Sequence, residues 1–246
     1  NHMSIDFEIK GADMQYVECI LQSGQTVFCE AGAMMYMEEG VQMSTKMGDG
    51  SEKHSGFFGT MMGLGKRYIS GEGFFFAFYT NNHHNPKSVA FAGNYPGKIN
   101  AVNLNDTGSI YLQRGSFLCG QKGVAIEMGF SRKIGFGMFG GEGFIMQKLS
   151  GEGIAFIHAC GAIEERVLEA GESLYIDTGS LVGFQANMDY DIQMVKGLKN
   201  MLFGGEELFL TTVTGPGRVW IQSLPYYRLS GLFVQDTLRV LAANKG

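Results

Sequence analysis

Three carboxylates follow a glycine at corresponding places in the chain, in Gly71-Glu72-Gly73-Phe74, Gly141-Glu142-Gly143-Phe144 and, altered, Gly205-Glu206-Glu207-Leu208. Three equivalent carboxylates converging on one axis would bind a cation. The competing reading is turn chemistry, in which a Gly-Glu-Gly turn opens a strand and its carboxylate faces water or accepts backbone N–H groups. Acid–base catalysis is served by two groups in unlike surroundings, so copies of one residue argue against it. The same objection covers Glu30, Gln113 and Asp177, which also recur at corresponding places.

The other candidates for chemistry are sparse. His83-His84 lie in a turn-rich stretch and could ligate a metal, although adjacent residues on an extended chain point apart. His158 and Cys160 would share one face of a strand, yet two ligands do not close a site. Cys19, Cys29, Cys119 and Cys160 show no Cys-x-x-Cys spacing, which leaves buried reduced thiols as their role. Gly135-Phe136-Gly137-Met138-Phe139-Gly140 matches the letters of a dinucleotide fingerprint, but a β-type pattern follows where a helix must open. Gly63-Leu64-Gly65-Lys66-Arg67 resembles a phosphate loop, but Arg67 replaces the hydroxyl residue that holds magnesium and Thr60 the first glycine. No serine, cysteine or histidine set has the arrangement of a nucleophilic site. The expectation is a chain without catalytic residues, cofactor or metal.

Composition narrows the class of protein. The chain is 45% hydrophobic and 17% charged, enough to bury a large core, while 37 glycines against 4 prolines signal many tight turns. A net charge of -5 argues against a surface built to neutralise phosphates, because nonspecific nucleic-acid affinity comes from Lys and Arg. Asn1-His2 ahead of Met3 reads as a tag remnant. With no run of about 20 apolar residues and no basic-then-apolar start, the expected location is the cytoplasm.

The elements that must position these residues recur. Val27 to Met35 aligns without gaps on Ile110 to Leu118 and on Leu174 to Val182, centred on Gly32, Gly115 and Gly179. Each copy reads aliphatic, aromatic, apolar, polar, any, Gly, small, apolar, apolar. Alternation resumes at Val41-Gln42-Met43, Val124-Ala125-Ile126 and Met188-Asp189-Tyr190, and short alternating runs bounded by Gly read as half-buried strands. Gly115 stands as far from Gly179 as Gly141 does from Gly205, whereas Gly32 to Gly115 and Gly71 to Gly141 are both longer separations. Two insertions in the first copy explain the surplus, one within or beside Lys46 to Arg67 and one around Asn81 to Pro86.

The expected fold is all-β, with three internal repeats about a pseudo-threefold axis. The boundaries are approximately 25–104, 105–168 and 169–224, the last completed by residues 3–24, because Phe7 to Gly24 resembles Phe156 to Gly171. Such units cannot each bury a face alone, so 3–224 reads as one domain. Gly32, Gly115 and Gly179 are expected in alike turns that need positive φ or close backbone approach. Residues 225–246 form a C-terminal extension, in which Gln235 to Ala243 predicts a short helix with its apolar side docked on the core.

Gly197 to Glu206, Thr214-Gly215-Pro216-Gly217, Tyr95-Pro96-Gly97-Lys98 and Phe139 to Gly143 carry a resemblance. From Met3 to about Leu224 the chain resembles the bacterial proteins of unknown function related to the fungal mitochondrial-biogenesis protein named for altered inheritance of mitochondria. Members of that family are similar in fold to the tryptophan RNA-binding attenuation protein. The resemblance implies three short double-stranded β-helix units per chain and a homotrimer forming a ring of nine.

Three function classes follow. The favoured one is a noncatalytic, ring-forming assembly or scaffold protein that contacts a protein partner or membrane surface. The alternatives are a small-molecule or RNA binding module, by analogy of fold alone, and an enzyme with a site between subunits. The stretch from Gly56 to Arg67 bears on the first, because Phe57, Phe58, Met61, Met62 and Leu64 are spaced by glycines and followed by Lys66 and Arg67. Contiguous exposed apolar residues mark contact sites. The stretch therefore either packs on the core or a subunit interface, or forms a lip that meets a partner groove or an anionic lipid surface.

Overall fold

The computed structural model describes residues 4–30, 32–47, 75–132, 143–194 and 209–243. Two strands open the chain, β1 (Asp6–Lys10) and β2 (Tyr16–Leu21). Three groups follow. The first holds β3 (Thr26–Glu30), β4 (Met34–Met37), β5 (Val41–Met47), β6 (Phe75–Asn81), β7 (Lys87–Ala92) and β8 (Gly97–Asn103). After the single-turn helix α1 (Leu104–Thr107), the second holds β9 (Ile110–Gln113), β10 (Phe117–Gln121), β11 (Val124–Arg132), β12 (Phe144–Gly151), β13 (Ile154–Cys160) and β14 (Ile163–Leu168). The third holds β15 (Ser173–Asp177), β16 (Leu181–Gln185), β17 (Asp189–Met194), β18 (Phe209–Thr214) and β19 (Gly217–Gln222), and helix α2 (Tyr226–Ala243) ends it.

Alternation is what makes these strands. In β2 and in β18, buried and half-buried residues take turns, as a strand with one face on the core requires. β13 is buried on both faces and accordingly reads as a nearly continuous apolar run. The strands build four sheets, in the orders β1-β2-β7-β4, β5-β6-β3-β10-β13-β8, β11-β12-β9-β16-β19-β14 and β15-β18-β17. Trp220, Phe28 and Phe156 are among the largest side chains buried between them.

Corresponding strands pair in the same way. β6 lies between β3 and β5, β12 between β9 and β11, and β18 between β15 and β17. β4, β10 and β16 pair with β7, β13 and β19, and each pairing slips register once, between Met34 and Tyr36, Phe117 and Cys119, and Leu181 and Gly183. Neighbouring groups exchange strands: β3 pairs with β10 and β9 with β16, while β8 pairs with β13 and β14 with β19. The hairpins β5–β6, β11–β12 and β17–β18 open at Met47 and Phe75, Arg132 and Phe144, and Met194 and Phe209. In sequence, the glycine-glutamate stretches fall between the two strands of each hairpin.

Three expectations need correction. First, β2 pairs with β7, in the first group, and among the described residues neither β1 nor β2 pairs with a strand of the third group. The opening strands therefore do not complete the third group; β2 does for β7 what β8 does for β13. Second, Gly32 and Gly115 take positive φ, +96° and +89°, with open space where a side chain would stand, but Gly179 does not. Gly179 sits in a 3₁₀ turn, Thr178–Ser180, where its N–H donates to the Asp177 carboxylate and the Tyr227 ring fills the place a side chain would take. Third, the C-terminal helix starts at Tyr226 rather than Gln235, and the apolar side chains described in its outer turns face outward. Leu232, Phe233, Val240 and Leu241 are exposed, and among the described residues the side-chain bonds from the helix to the sheets come from its first turn, at Tyr227 and Arg228.

Candidate functional site

The residues singled out for chemistry are placed apart. Glu30 is half-buried, desolvation raises its pKa, and its carboxylate receives the Gln147 side-chain amide. Among the described residues, Gln113 and Gln147 each keep a buried side-chain oxygen without a hydrogen-bond partner. Asp177 instead accepts from Arg228 at 2.7 Å and from Gly179 N–H at 3.3 Å. Three corresponding positions thus hold three unlike jobs. His83 and His84 stack at 4.1 Å rather than pointing apart, since the chain bends after Asn81 instead of extending. His158 and Cys160 are both buried on β13. All four cysteines are free and buried, and burial pushes the Cys29 thiol up to about 12. Among the described residues no three His, Cys, Asp or Glu side chains gather in a metal-holding group. Phe57, Phe58, Met61, Met62, Leu64, Lys66 and Arg67, with Gly71, Gly141, Gly205, Glu72, Glu142 and Glu206, lie outside the described residues.

The feature that stands out is a pair of sheet edges that lack, among the described residues, a neighbour their counterparts in the other groups have. β10 has β13 on one side and β3 on the other, and β16 has β19 and β9. β4 has only β7. Likewise β3 and β9 are each flanked by two strands, whereas β15 has only β18. An edge strand offers a row of free N–H and C=O groups to another chain, and proteins usually blunt it with charge or proline. Here β4 reads Met34-Met35-Tyr36-Met37 and β15 reads Ser173-Leu174-Tyr175-Ile176-Asp177. Neither strand is blunted along its middle.

Exposure at these edges is the consequence of the missing neighbour. Phe28 on β3 is fully buried and Tyr111 on β9 half-buried, but Tyr175 on β15 is 70% exposed. Cys119 and Gly120 on β10, and Gly183 and Phe184 on β16, are buried, whereas Tyr36 and Met37 are 37% and 39% exposed. Exposed apolar residues along an open edge mark an association surface.

Both edges are held in shape. Tyr36 pairs across to Ala90 on β7, and Ala90 pairs to Glu18 on β2. The small Ala90 lets the Tyr36 hydroxyl reach the Glu18 carboxylate, which also binds Lys10. Lys10 first and Tyr36 second hold the Glu18 carboxyl below the usual range. At the other edge Asp177 closes β15 and anchors α2 through Arg228 and Tyr227. Burial first, and the Asp177 charge next, push the Tyr227 hydroxyl up. Sequence reading missed these edges because an edge is a property of pairing. The signal was available in Tyr175, an aromatic at the position that holds buried Phe28 and half-buried Tyr111 in the other two groups.

A family model described as mitochondrial biogenesis AIM24 matches residues 7–224. An uncharacterized protein of Streptococcus pyogenes serotype M6 is 30% identical over 217 residues, covering 87% of this chain and 84% of that protein. The crystal structure of a Streptococcus pyogenes protein superposes with a TM-score of 0.70 at 25% identity, covering 94% of this chain and 99% of that one.

Proposed function

The chain belongs to the mitochondrial biogenesis AIM24 family, and from that premise we propose that it is a noncatalytic scaffold that assembles with copies of itself into a ring. The three strand groups are read as three copies of one short double-stranded β-helix unit, similar to that of the attenuation protein. Their common pairing pattern and their register slips at Met34/Tyr36, Phe117/Cys119 and Leu181/Gly183 support that reading. A homotrimer would then set nine units in a circle, with the open hairpin ends of every unit toward one face. That face is where a protein partner or membrane surface would be met.

The observation that carries the reading is the presence of two different open edges on one chain, β4 and β15, each apolar and each lacking a neighbour that its counterparts have among the described residues. Two unlike complementary edges give head-to-tail contacts, which close into a ring when the rotation between copies allows it. Among the described residues no helix is long and apolar enough to cross a membrane, so the reading needs no span. Sedimentation velocity at micromolar concentration tests it. One species at three times the chain mass is expected, and a stable monomer overturns the proposal.

A further inference from the structure

We propose that β15 of one copy pairs antiparallel with β4 of a second copy, in the register Ile176 with Tyr36, Tyr175 with Met37 and Leu174 with Glu38. The inference rests on the assembly reading and gives it a residue-level junction.

The chain contains two finished versions of this junction. In the first, Cys29 faces Cys119, Phe28 faces Gly120 and Val27 faces Gln121. In the second, Leu112 faces Gly183, Tyr111 faces Phe184 and Ile110 faces Gln185. From the first to the second, the leading strand advances by the separation of Gly32 from Gly115, and the other strand by the separation of Gly115 from Gly179. A further step of the Gly115-to-Gly179 length takes the leading strand from Leu112 to Ile176, on β15. Among the described residues the other strand has no later counterpart. Its counterpart in a fresh copy is β4, where Tyr36 precedes Cys119 by the separation of Gly32 from Gly115. The register follows from that step.

Bonds beyond the paired residues agree between the two templates. Lys122 N–H donates to the Thr26 carbonyl at 3.0 Å, and Ala186 N–H to the Ser109 carbonyl at 2.9 Å. At the third junction Glu39 N–H of the second copy meets the Ser173 carbonyl. β4 is already shaped for the contact. The Gln121 side-chain oxygen accepts from Ile154 N–H at 3.3 Å, that of Gln185 from Arg218 N–H at 2.7 Å, and that of Glu38 from Ser88 N–H at 2.8 Å. Across the second junction the rings of Tyr111 and Phe184 meet at 5.5 Å. Tyr175 and Met37 stand in their places, and a thioether against an aromatic edge is a favourable contact.

One departure separates this junction from its templates. Gln185 also donates its side-chain amide to the Thr107 carbonyl at 2.6 Å, across the boundary between groups. The Glu38 side chain has no N–H to give, and its carboxylate would face the corresponding carbonyl, that of Gly171. Two acceptors facing each other repel. The junction between copies is thereby weaker than those inside the chain, and Glu38→Gln is expected to tighten association by roughly tenfold, the worth of one regained hydrogen bond.

The test is disulfide trapping in the full chain. Met37→Cys combined with Tyr175→Cys puts thiols on facing residues of different copies, where the spacing of an antiparallel pair suits a disulfide; the native cysteines are all buried. Glu39→Cys with Tyr175→Cys is the slipped control on the same face. Mild oxidation should link the thiols introduced at positions 37 and 175 between copies roughly tenfold faster than the control pair, giving covalent multimers on a denaturing gel. An assembled protein that traps only the slipped pair, or neither pair, overturns the junction and leaves the assembly reading standing. A wild-type monomer overturns both. Unchanged association in Glu38→Gln, measured by dilution in sedimentation, removes the argument from Gly171.

Discussion

The imidazole of His158 stacks on the ring of Tyr95 with centroids 4.6 Å apart and 28° between the planes. Gly93 makes room for the stack, since a Cβ there would stand 2.3 Å from the imidazole. The Tyr95 hydroxyl donates to the Gly115 carbonyl at 3.0 Å and fixes the other ring. His158 is only 2% exposed, and burial lowers its pKa to about 4.

That burial sets a pH dependence. Between about 4 and about 6.5 the unfolded chain holds a proton on His158 that the folded chain refuses, so stability rises with pH across this window. The contribution is complete above about pH 6.5 and lost as pH falls toward about 4, by up to about 3 kcal/mol. Urea unfolding across the window should show the fall, and His158→Gln should flatten it. An equal slope in the variant would assign the dependence to other groups.

Gly97 predicts a second, sharper loss. It faces Cys160 in the pairing of β8 with β13, and a Cβ built on it would lie 1.7 Å from the Ala159 carbonyl oxygen. Backbone cannot yield as a flexible side chain can, so Gly97→Ala should cost about 4 kcal/mol or more. Gly32 and Gly115 have open space around the same position and suffer only from their positive φ. Alanine at either should cost about 1–2 kcal/mol. Denaturant midpoints for the three variants would separate the two causes, and equal losses would contradict the geometry.

These glycines show how far the sequence could be read. The alternation around Gly32, Gly115 and Gly179 placed strands where they are found, because burial of one face writes itself into every second residue. It could not reveal that Gly179 lies in a 3₁₀ turn, since that depends on Asp177 capping it and on Tyr227 arriving from the C-terminal helix. Nor could it place β1 and β2, whose likeness to Phe156–Gly171 fits either end of the chain. Pairing alone puts β2 on β7. The first half of the helix is hidden in the sequence for a simpler reason: Tyr226 to Val234 carries Ser230 and Gly231, which weaken a helical pattern, and the anchoring of its first turn by Asp177 compensates.

That anchor is itself open to test. Asp177 accepts from Arg228 at 2.7 Å and from Tyr227 at 3.3 Å, and these are side-chain bonds that fasten α2 to the sheet. Arg228 is about half exposed, so the ion pair is screened and the effect on global stability is small, below about 1 kcal/mol. Local order is where the loss should appear. In Asp177→Ala, amide exchange over Tyr226–Gly231 should speed up while exchange in β13 stays unchanged. Unaltered exchange in the helix would show that the Tyr227 contact with Gly179 suffices.

The pairing of Tyr36 with Ala90 has counterparts that exchange large for small. Cys119 pairs with Phe156 and Gly183 with Trp220, so in those groups the inner strand carries the small residue and its neighbour the aromatic. In the first group the order is inverted, with Ala90 fully buried and Tyr36 reaching over it to Glu18. Only one of the two positions has room for a ring, because interiors are close-packed. Ala90→Phe alone should therefore overpack the sheet and cost about 1–3 kcal/mol. Tyr36→Ala alone should lose the Glu18 bond and some packing, about 1–2 kcal/mol. The double variant restores the arrangement of the other groups and should be less destabilised than the two losses added, by at least about 1 kcal/mol. Glu18 keeps Lys10 in every variant, so the Tyr36 hydroxyl bond is lost equally in the single and the double change. A double-mutant cycle measured by urea unfolding at pH 7 reads the coupling directly, and strict additivity would mean that Tyr36 and Ala90 do not share one space.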